Sequence, residues 1–192
     1  MQENNINREK SNSSSRSTGG NVLEDFQHIT TFVFDVDGVL TDGGVLLLEN
    51  GLQARRMNIK DGLALQMAIR NNYHVVIVSG GSSEPVIHRL QYLGVKEIYL
   101  GLKDKLKFME SFLEQNNLNW NEILYMGDDL PDLPLLEKAG LPCCPADSAI
   151  EVKKISKYIS TLNGGYGCAR DVIEKVLKLN DHWNYHPGIS SR

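Results

Sequence analysis

The sequence predicts an α/β protein, a doubly wound parallel sheet with helices on both faces, interrupted once by a small β-hairpin. Three observations predict it. Short β-branched or aromatic runs recur along the chain, amphipathic segments with helix start and stop residues lie between them, and acidic, glycine-bearing clusters follow directly on two of the runs. The runs are nearly continuous in apolar character, as expected of strands covered on both faces.

The strand runs fall at residues 31–36, 74–79, 97–100, 123–127, 141–144 and 158–160. Between them, Asp61 is placed to cap a helix running to residue 71, and Ser83 to cap one with Pro85 in its first turn and Gly94 past its end. Residues 103–115 put Leu106, Met109 and Leu113 on one stripe. Pro131 opens a short helix closed by Gly140, and residues 170–179 make the last. Residues 44–59 break the alternation as strand, Glu49-Asn50-Gly51, strand; Asn-Gly is a hairpin signal in which both central residues take φ > 0.

The chain has 192 residues, a formal net charge of −4 and 41% hydrophobic residues. That length suits one domain, since single cores run to roughly 100–200 residues. The acidic balance argues against nucleic acid as a partner, and apolar runs of about four residues fall far short of the ~20 that span a bilayer. No apolar leader segment is visible, so a bacterial source would place the chain in the cytoplasm. The first twenty residues hold four Asn and five Ser with Met1 and Ile6 as the large apolar residues. A disordered tail is expected over 1–24, a working domain over 25–180 and a loose tail over 181–192. Cys143, Cys144 and Cys168 lack disulfide or metal-knuckle spacing and read as small buried residues.

The chemistry is concentrated at strand ends. The first run leads into Asp35-Val36-Asp37-Gly38-Val39-Leu40-Thr41-Asp42-Gly43, and the fourth into Gly127-Asp128-Asp129-Leu130-Pro131-Asp132. Open α/β sheets place ligands at such carboxyl ends, and carboxylates gathered there are costly without a cation. A hard metal, Mg²⁺, held by Asp35, Asp37 and Asp128 is therefore expected, provided the two strands are neighbours. Ser79 with Gly80-Gly81, and Lys105, supply the hydroxyl, backbone N–H and ammonium that a phosphoryl dianion needs. In this scheme Asp35 attacks phosphorus and Asp37 protonates the leaving alkoxide, then activates water. Asp129 or Asp132 would hold metal-bound waters or orient Lys105.

DVDGVLTDG, Ser79, Lys105 and GDDLPD, in that order, resemble the four motifs of the haloacid dehalogenase superfamily over about residues 30 to 179. The short hairpin, Asn58-Ile59-Lys60-Asp61-Gly62 and the stretch from Gly164 through Arg170 to Asp171 are similar to the 3-deoxy-D-manno-octulosonate 8-phosphate phosphatase family. The resemblance implies a capless hydrolase of an eight-carbon sugar-acid phosphate in lipopolysaccharide synthesis. It further implies a homotetramer whose hairpins form a central barrel while a neighbouring subunit roofs each site. It departs at Gly81, where the family commonly has arginine, and Lys60 stands where many relatives carry arginine. The expected substrate-binding set is Lys60, Gly80, Arg56 and Arg170, with Arg55 and Arg89 as further candidates. Adjacent Arg55 and Arg56 point to opposite faces of a strand, so at most one reaches the site. The hairpin's Val45, Leu46, Leu47 and Leu48 are expected to pack one face on their own domain and the other on a partner.

Two alternatives stay open. A nonulosonate 9-phosphate phosphatase would use the same cations for a nine-carbon sugar acid. A phospho-accepting signalling domain shares the sheet, metal, aspartate and lysine, but lacks an aspartate two residues after the phosphorylated one.

Overall fold

The computed structural model describes residues 22–184. The segments expected as tails at 1–21 and 185–192 lie outside the described residues. The chain runs through α1 (Val22–Gln27), β1 (Thr31–Phe34), β2 (Leu46–Leu47), β3 (Gln53–Ala54), α2 (Ile59–Arg70), β4 (His74–Val78) and α3 (Glu84–Tyr92). It continues through β5 (Glu97–Tyr99), α4 (Lys105–Asn116), β6 (Ile123–Met126), α5 (Leu133–Lys138), β7 (Leu141–Cys144), α6 (Ile150–Ile155), β8 (Tyr158–Ile159) and α7 (Cys168–Leu179). Helices α1 and α6 were not foreseen; each is six residues long, under two turns, too short for an apolar period to repeat. Residues 22–24 of the expected tail belong to α1.

The large sheet has the order β5-β4-β1-β6-β7-β8, all pairs parallel. β1 lies between β4 and β6, with Phe34 opposite Ile77 on one side and Met126 on the other. The chain leaves β1 toward β4 and returns to β6, so the order reverses at β1 and the loops after β1 and β6 diverge into a crevice. Alternate residues of each strand feed two cores. Phe32, Phe34, Ile77, Leu124 and Met126 pack with α1, α2, α3 and α7; Val33, Val76, Val78, Ile123 and Tyr125 pack with α4, α5 and α6. Helix α7 presents Ala169, Val172, Ile173, Val176 and Leu177 on one buried stripe.

Three local expectations change. Asn58, not Asp61, caps α2, accepting from Lys60 N at 2.8 Å. Asp61 instead reaches across to α7, where its Oδ1 accepts from Arg170 N at 2.7 Å. The hairpin turn is also different: Gly51 N donates to Leu48 O and Leu48 N to Leu52 O, with φ +78° at Gly51 and no positive φ at Asn50. That is a three-residue loop ending in a glycine bulge, rather than a two-residue turn with both residues left-handed. Finally, Val45, Leu46, Leu47, Leu48 and Leu52 are all exposed, so neither face of the hairpin is packed away by the described residues of its own domain. The three cysteines are buried and free.

Candidate active site

β1 delivers Asp35 at its carboxyl end, where Asp35 N continues the ladder by donating to Met126 O at 3.0 Å. The chain then makes a wide turn over Val36–Leu40, closed by Thr41 N to Val36 O. Thr41 is fully buried, and its Oγ1 accepts from Gly38 N and Gly43 N. Gly38 has φ +83°, and a Cβ there would lie 2.0 Å from Asp128 Oδ2. Glycine is therefore required both for the backbone conformation and for the approach of Asp128 from the β6 loop.

The oxygens of Asp35, Asp128 and Asp132 lie within 4.8 Å of one another. Asp35 Oδ1 accepts from Val36 N at 2.7 Å and faces Lys105 Nζ at 3.0 Å. Lys105 Nζ also donates to Asp132 Oδ1 at 2.7 Å. Three carboxylates against one ammonium leave two negative charges, and the protonation equilibria register the strain. Burial, helped by the charge of Asp132 and opposed by Lys105, pushes the Asp35 carboxyl up to about 6. Burial, with the charges of Asp132, Asp35 and Asp129, pushes Asp128 up to about 7. Burial alone would lower Lys105, but Asp35 and Asp132 outweigh it and hold the ammonium above its ordinary value.

A divalent cation fits this charge deficit, and the donor set says which residues could hold it. Asp132 is fully engaged: Oδ1 accepts from Lys105 and from Tyr125 Oη at 2.6 Å, and Oδ2 from Asp128 N and Asp129 N. A carboxylate offers about four lone-pair sites, so Asp132 has none to spare. Asp35 and Asp128 remain. The Asp37 carboxylate, expected among the ligands, is not in that group of oxygens, and its Oδ1 accepts from Arg55 Nε at 2.6 Å.

Ser79, buried at the end of β4, accepts from Gly81 N at 3.2 Å, and Gly80 beside it is exposed. A Cβ on Gly81 would lie 3.0 Å from Asp37 Oδ2, so the β4 loop borders the Asp37 carboxylate. The other expected substrate residues are elsewhere. Arg56 stacks on Tyr166, its guanidinium 4.8 Å from the ring centre, and pairs with Asp42 at 2.8 Å. Lys60 and Arg170 line a cleft of about 510 Å³ with Tyr166 and Glu174, and the four site aspartates are not among its lining residues. Arg170 is bonded to Glu174 at 3.0 Å and lies over Trp183. Of the hairpin pair, then, Arg55 meets Asp37 and Arg56 meets Asp42. The Gly164-Gly165 pair is buried against the Asp37 turn, with Gly165 N donating to Val39 O.

Tyr125 was missed by sequence reasoning. Its signal was a lone phenol in an otherwise apolar strand, since a buried tyrosine hydroxyl needs a partner.

A parallel sheet whose switch point gathers an aspartate pair, a serine, a lysine and a second acidic loop defines a haloacid dehalogenase-like hydrolase core. The family model of that description matches residues 97–170. The chain is 32% identical to the Salmonella typhi 3-deoxy-D-manno-octulosonate 8-phosphate phosphatase KdsC over 81% of this chain and 83% of that protein. The crystal structure of the Moraxella catarrhalis phosphatase of the same name, in complex with magnesium ion, phosphate ion and KDO, superimposes with a TM-score of 0.81 at 32% identity, covering 84% of this chain and 93% of that one. The Yersinia pestis phosphatase structure superimposes with a TM-score of 0.81 at 28% identity, covering 84% and 87%. The chain belongs to the 3-deoxy-D-manno-octulosonate 8-phosphate phosphatase family of haloacid dehalogenase-like hydrolases, and is a phosphoric monoester hydrolase. The signalling-domain alternative is thereby set aside. Among the described residues, no helix is long and apolar enough to cross a membrane.

Proposed function

We propose that this chain hydrolyses 3-deoxy-D-manno-octulosonate 8-phosphate to the free sugar acid and inorganic phosphate, for lipopolysaccharide synthesis in the cytoplasm. The observation that carries the reading is the meeting of Asp35, Asp128 and Lys105 at the β1–β6 crevice, in a chain similar to a phosphatase crystallised with that sugar acid and phosphate.

Asp35 is the nucleophile. Its Oδ1 is engaged by Val36 N and Lys105, which leaves Oδ2 outside those two bonds to attack phosphorus. An aspartyl–phosphate bond forms as the ester P–O bond breaks, and the leaving alkoxide takes a proton from Asp37. Asp37 then removes a proton from water, which attacks the acyl phosphate and restores Asp35. Lys105 offsets charge on the transferring group, the main task of a phosphoryl-transfer site, and Ser79 with the Gly80 N–H binds it. Mg²⁺ held by Asp35 and Asp128 would supply further neutralisation of the phosphoryl oxygens. Asp132 holds Lys105 rather than metal. Arg55 replaces Arg56 as the hairpin cation at the site, and Lys60 and Arg170 are left out of the single-chain substrate set. The working domain is the segment from α1 to α7, assembled as a homotetramer in which a neighbour closes the capless site.

Phosphate release from the octulosonate 8-phosphate, beside nonulosonate 9-phosphates and with or without Mg²⁺, tests the reading. The octulosonate should give the higher kcat/KM, and preference for the nine-carbon ester would overturn the substrate. Asp35→Asn should abolish turnover and Asp37→Asn cripple it; retained activity in the first refutes the nucleophile.

A further inference from the structure

We propose that the Tyr125 hydroxyl positions Lys105 for phosphoryl transfer, acting through Asp132. This rests on the role given to Lys105 above, and assigns to β6 a part in the chemistry beyond carrying the Asp128 loop.

Tyr125 is 1% exposed, in the middle of a strand whose other residues are Ile123, Leu124 and Met126. Phenylalanine would fill nearly the same volume, so packing alone does not call for the hydroxyl, whose burial is costly unless it is bonded. It donates to Asp132 Oδ1 at 2.6 Å, the same oxygen that accepts from Lys105 Nζ at 2.7 Å. Asp132 is itself 1% exposed, and its other oxygen takes the N–H groups of Asp128 and Asp129. The carboxylate is thus pinned from both sides, by the strand and by the acidic loop.

The consequence for Lys105 follows from counting donors. An ammonium has three N–H groups. One goes to Asp132 Oδ1 and one faces Asp35 Oδ1 at 3.0 Å, which leaves the third for an oxygen of the phosphoryl group. Because Tyr125 already supplies Oδ1 with a donor, Lys105 need not satisfy that oxygen alone. Without the hydroxyl, a buried carboxylate oxygen loses a charge-assisted bond, Asp132 is free to rotate, and the ammonium is drawn toward Asp132 and away from Asp35. The ground-state phosphate would still bind through Ser79, Gly80 and the metal site. What suffers is charge stabilisation aligned with the transferring group, a transition-state loss.

The test compares Tyr125→Phe with the wild-type enzyme, in Mg²⁺, on octulosonate 8-phosphate and on 4-nitrophenyl phosphate. The expected result is a kcat about tenfold lower on both esters, the scale of one hydrogen bond to a charged group. KM should stay within about twofold, the pattern of an interaction realised in the transition state. Inhibition by vanadate, which takes the five-coordinate geometry, should weaken in step with kcat, while inhibition by inorganic phosphate is unchanged. Tyr125→Phe added to Asp132→Asn should cost nothing further, because the hydroxyl acts through Asp132. Wild-type kcat in Tyr125→Phe overturns the proposal. So does a loss that adds in full to that of Asp132→Asn, or one in which KM and phosphate inhibition move with kcat, since each marks a merely structural role. A wild-type enzyme that cleaves 4-nitrophenyl phosphate but not the sugar ester overturns the substrate reading instead, and the Tyr125 comparison is still read on the aryl ester.

Discussion

Arg55 Nε sits 2.6 Å from Asp37 Oδ1, so a residue of the exposed hairpin grips the carboxylate assigned to proton transfer. Arg55 itself is nearly buried, with 10% of its side chain exposed, whereas neighbouring Arg56 is 59% exposed and occupied with Asp42 and Tyr166. Arg55→Met should lower kcat/KM by about 10- to 100-fold, the scale of a lost charge-assisted bond in a partly dehydrated site. Arg56→Met should change it by less than about threefold, as surface ion pairs contribute little. Steady-state kinetics of the two variants decide the matter, and the reverse order would return Arg56 to the site.

The burial of Asp128 beside the charges of Asp132 and Asp35 makes a prediction for Asp128→Asn. The folded-state value of about 7 for Asp128 lies above that of an unfolded aspartate, so the folded protein holds this proton more tightly. Stability is then lost as pH rises from about 4 to 7 and stays lost above that window. In metal-free buffer at pH 8, Asp128→Asn should raise Tm, by roughly 2–4 °C for each kcal/mol of burial and repulsion cost relieved. Added Mg²⁺ should raise the wild-type Tm but leave the variant nearly unmoved. Thermal melts with and without Mg²⁺ give both numbers; an unchanged Mg²⁺ response in the variant would remove Asp128 from the metal site.

Asp61 makes a second pH prediction at a place remote from the chemistry. Asp61 is 2% exposed and its Oδ2 has no hydrogen-bond partner among the described residues, and burial, opposed by the Arg170 and Gly167 N–H groups, pushes its carboxyl up to about 6. The sign is again that of a raised carboxylate: protonated Asp61 favours the fold, and the contribution disappears as pH climbs from about 4 to 6. Asn at this position keeps an oxygen for Arg170 N. Wild type and Asp61→Asn should therefore share a Tm near pH 4 and separate by pH 7, the variant being the more stable by up to about 3 kcal/mol. Parallel melting curves across that range would show that the ionised form is accommodated at no cost.

Much of the site was legible because its parts sit at the ends of strands that are apolar on both faces. Such strands must lie inside a parallel sheet, and their carboxyl ends collect at one edge, so Asp35, Ser79 and Asp128 could be brought together before any coordinates. What escaped depended on register or on a tertiary partner. Strand alternation says that one of Arg55 and Arg56 reaches the site, but the glycine bulge at Gly51 sets the register and so decides which. Asp61 has the spacing of a local cap, yet Asn58 takes that place and Asp61 caps a helix more than a hundred residues later. Tyr125 signals in the sequence only that a buried phenol needs a partner; that the partner is Asp132 depends on the tertiary fold.

The hairpin joins the assembly to the chemistry. Its two strands are two residues each, and Leu46, Leu47 and Leu52 are 64%, 73% and 62% exposed. A ribbon that short is marginal in water by itself, and a contiguous set of bare leucines marks an interaction surface. Arg55 follows directly on the second strand, Gln53–Ala54, so whatever orders the hairpin also orders the group that holds Asp37. In the proposed homotetramer, neighbouring copies supply that order. Leu46→Asp with Leu47→Asp sets charges where an apolar partner would lie, and should convert the tetramer to smaller species by light scattering. The core helices do not rest on these leucines, so the far-ultraviolet circular dichroism should be kept. Activity should fall with assembly, and in the wild type kcat/KM should decline on dilution below the dissociation range. A double variant that remains tetrameric removes the hairpin from the interface, and one that dissociates with full kcat/KM separates the assembly from the Arg55–Asp37 grip.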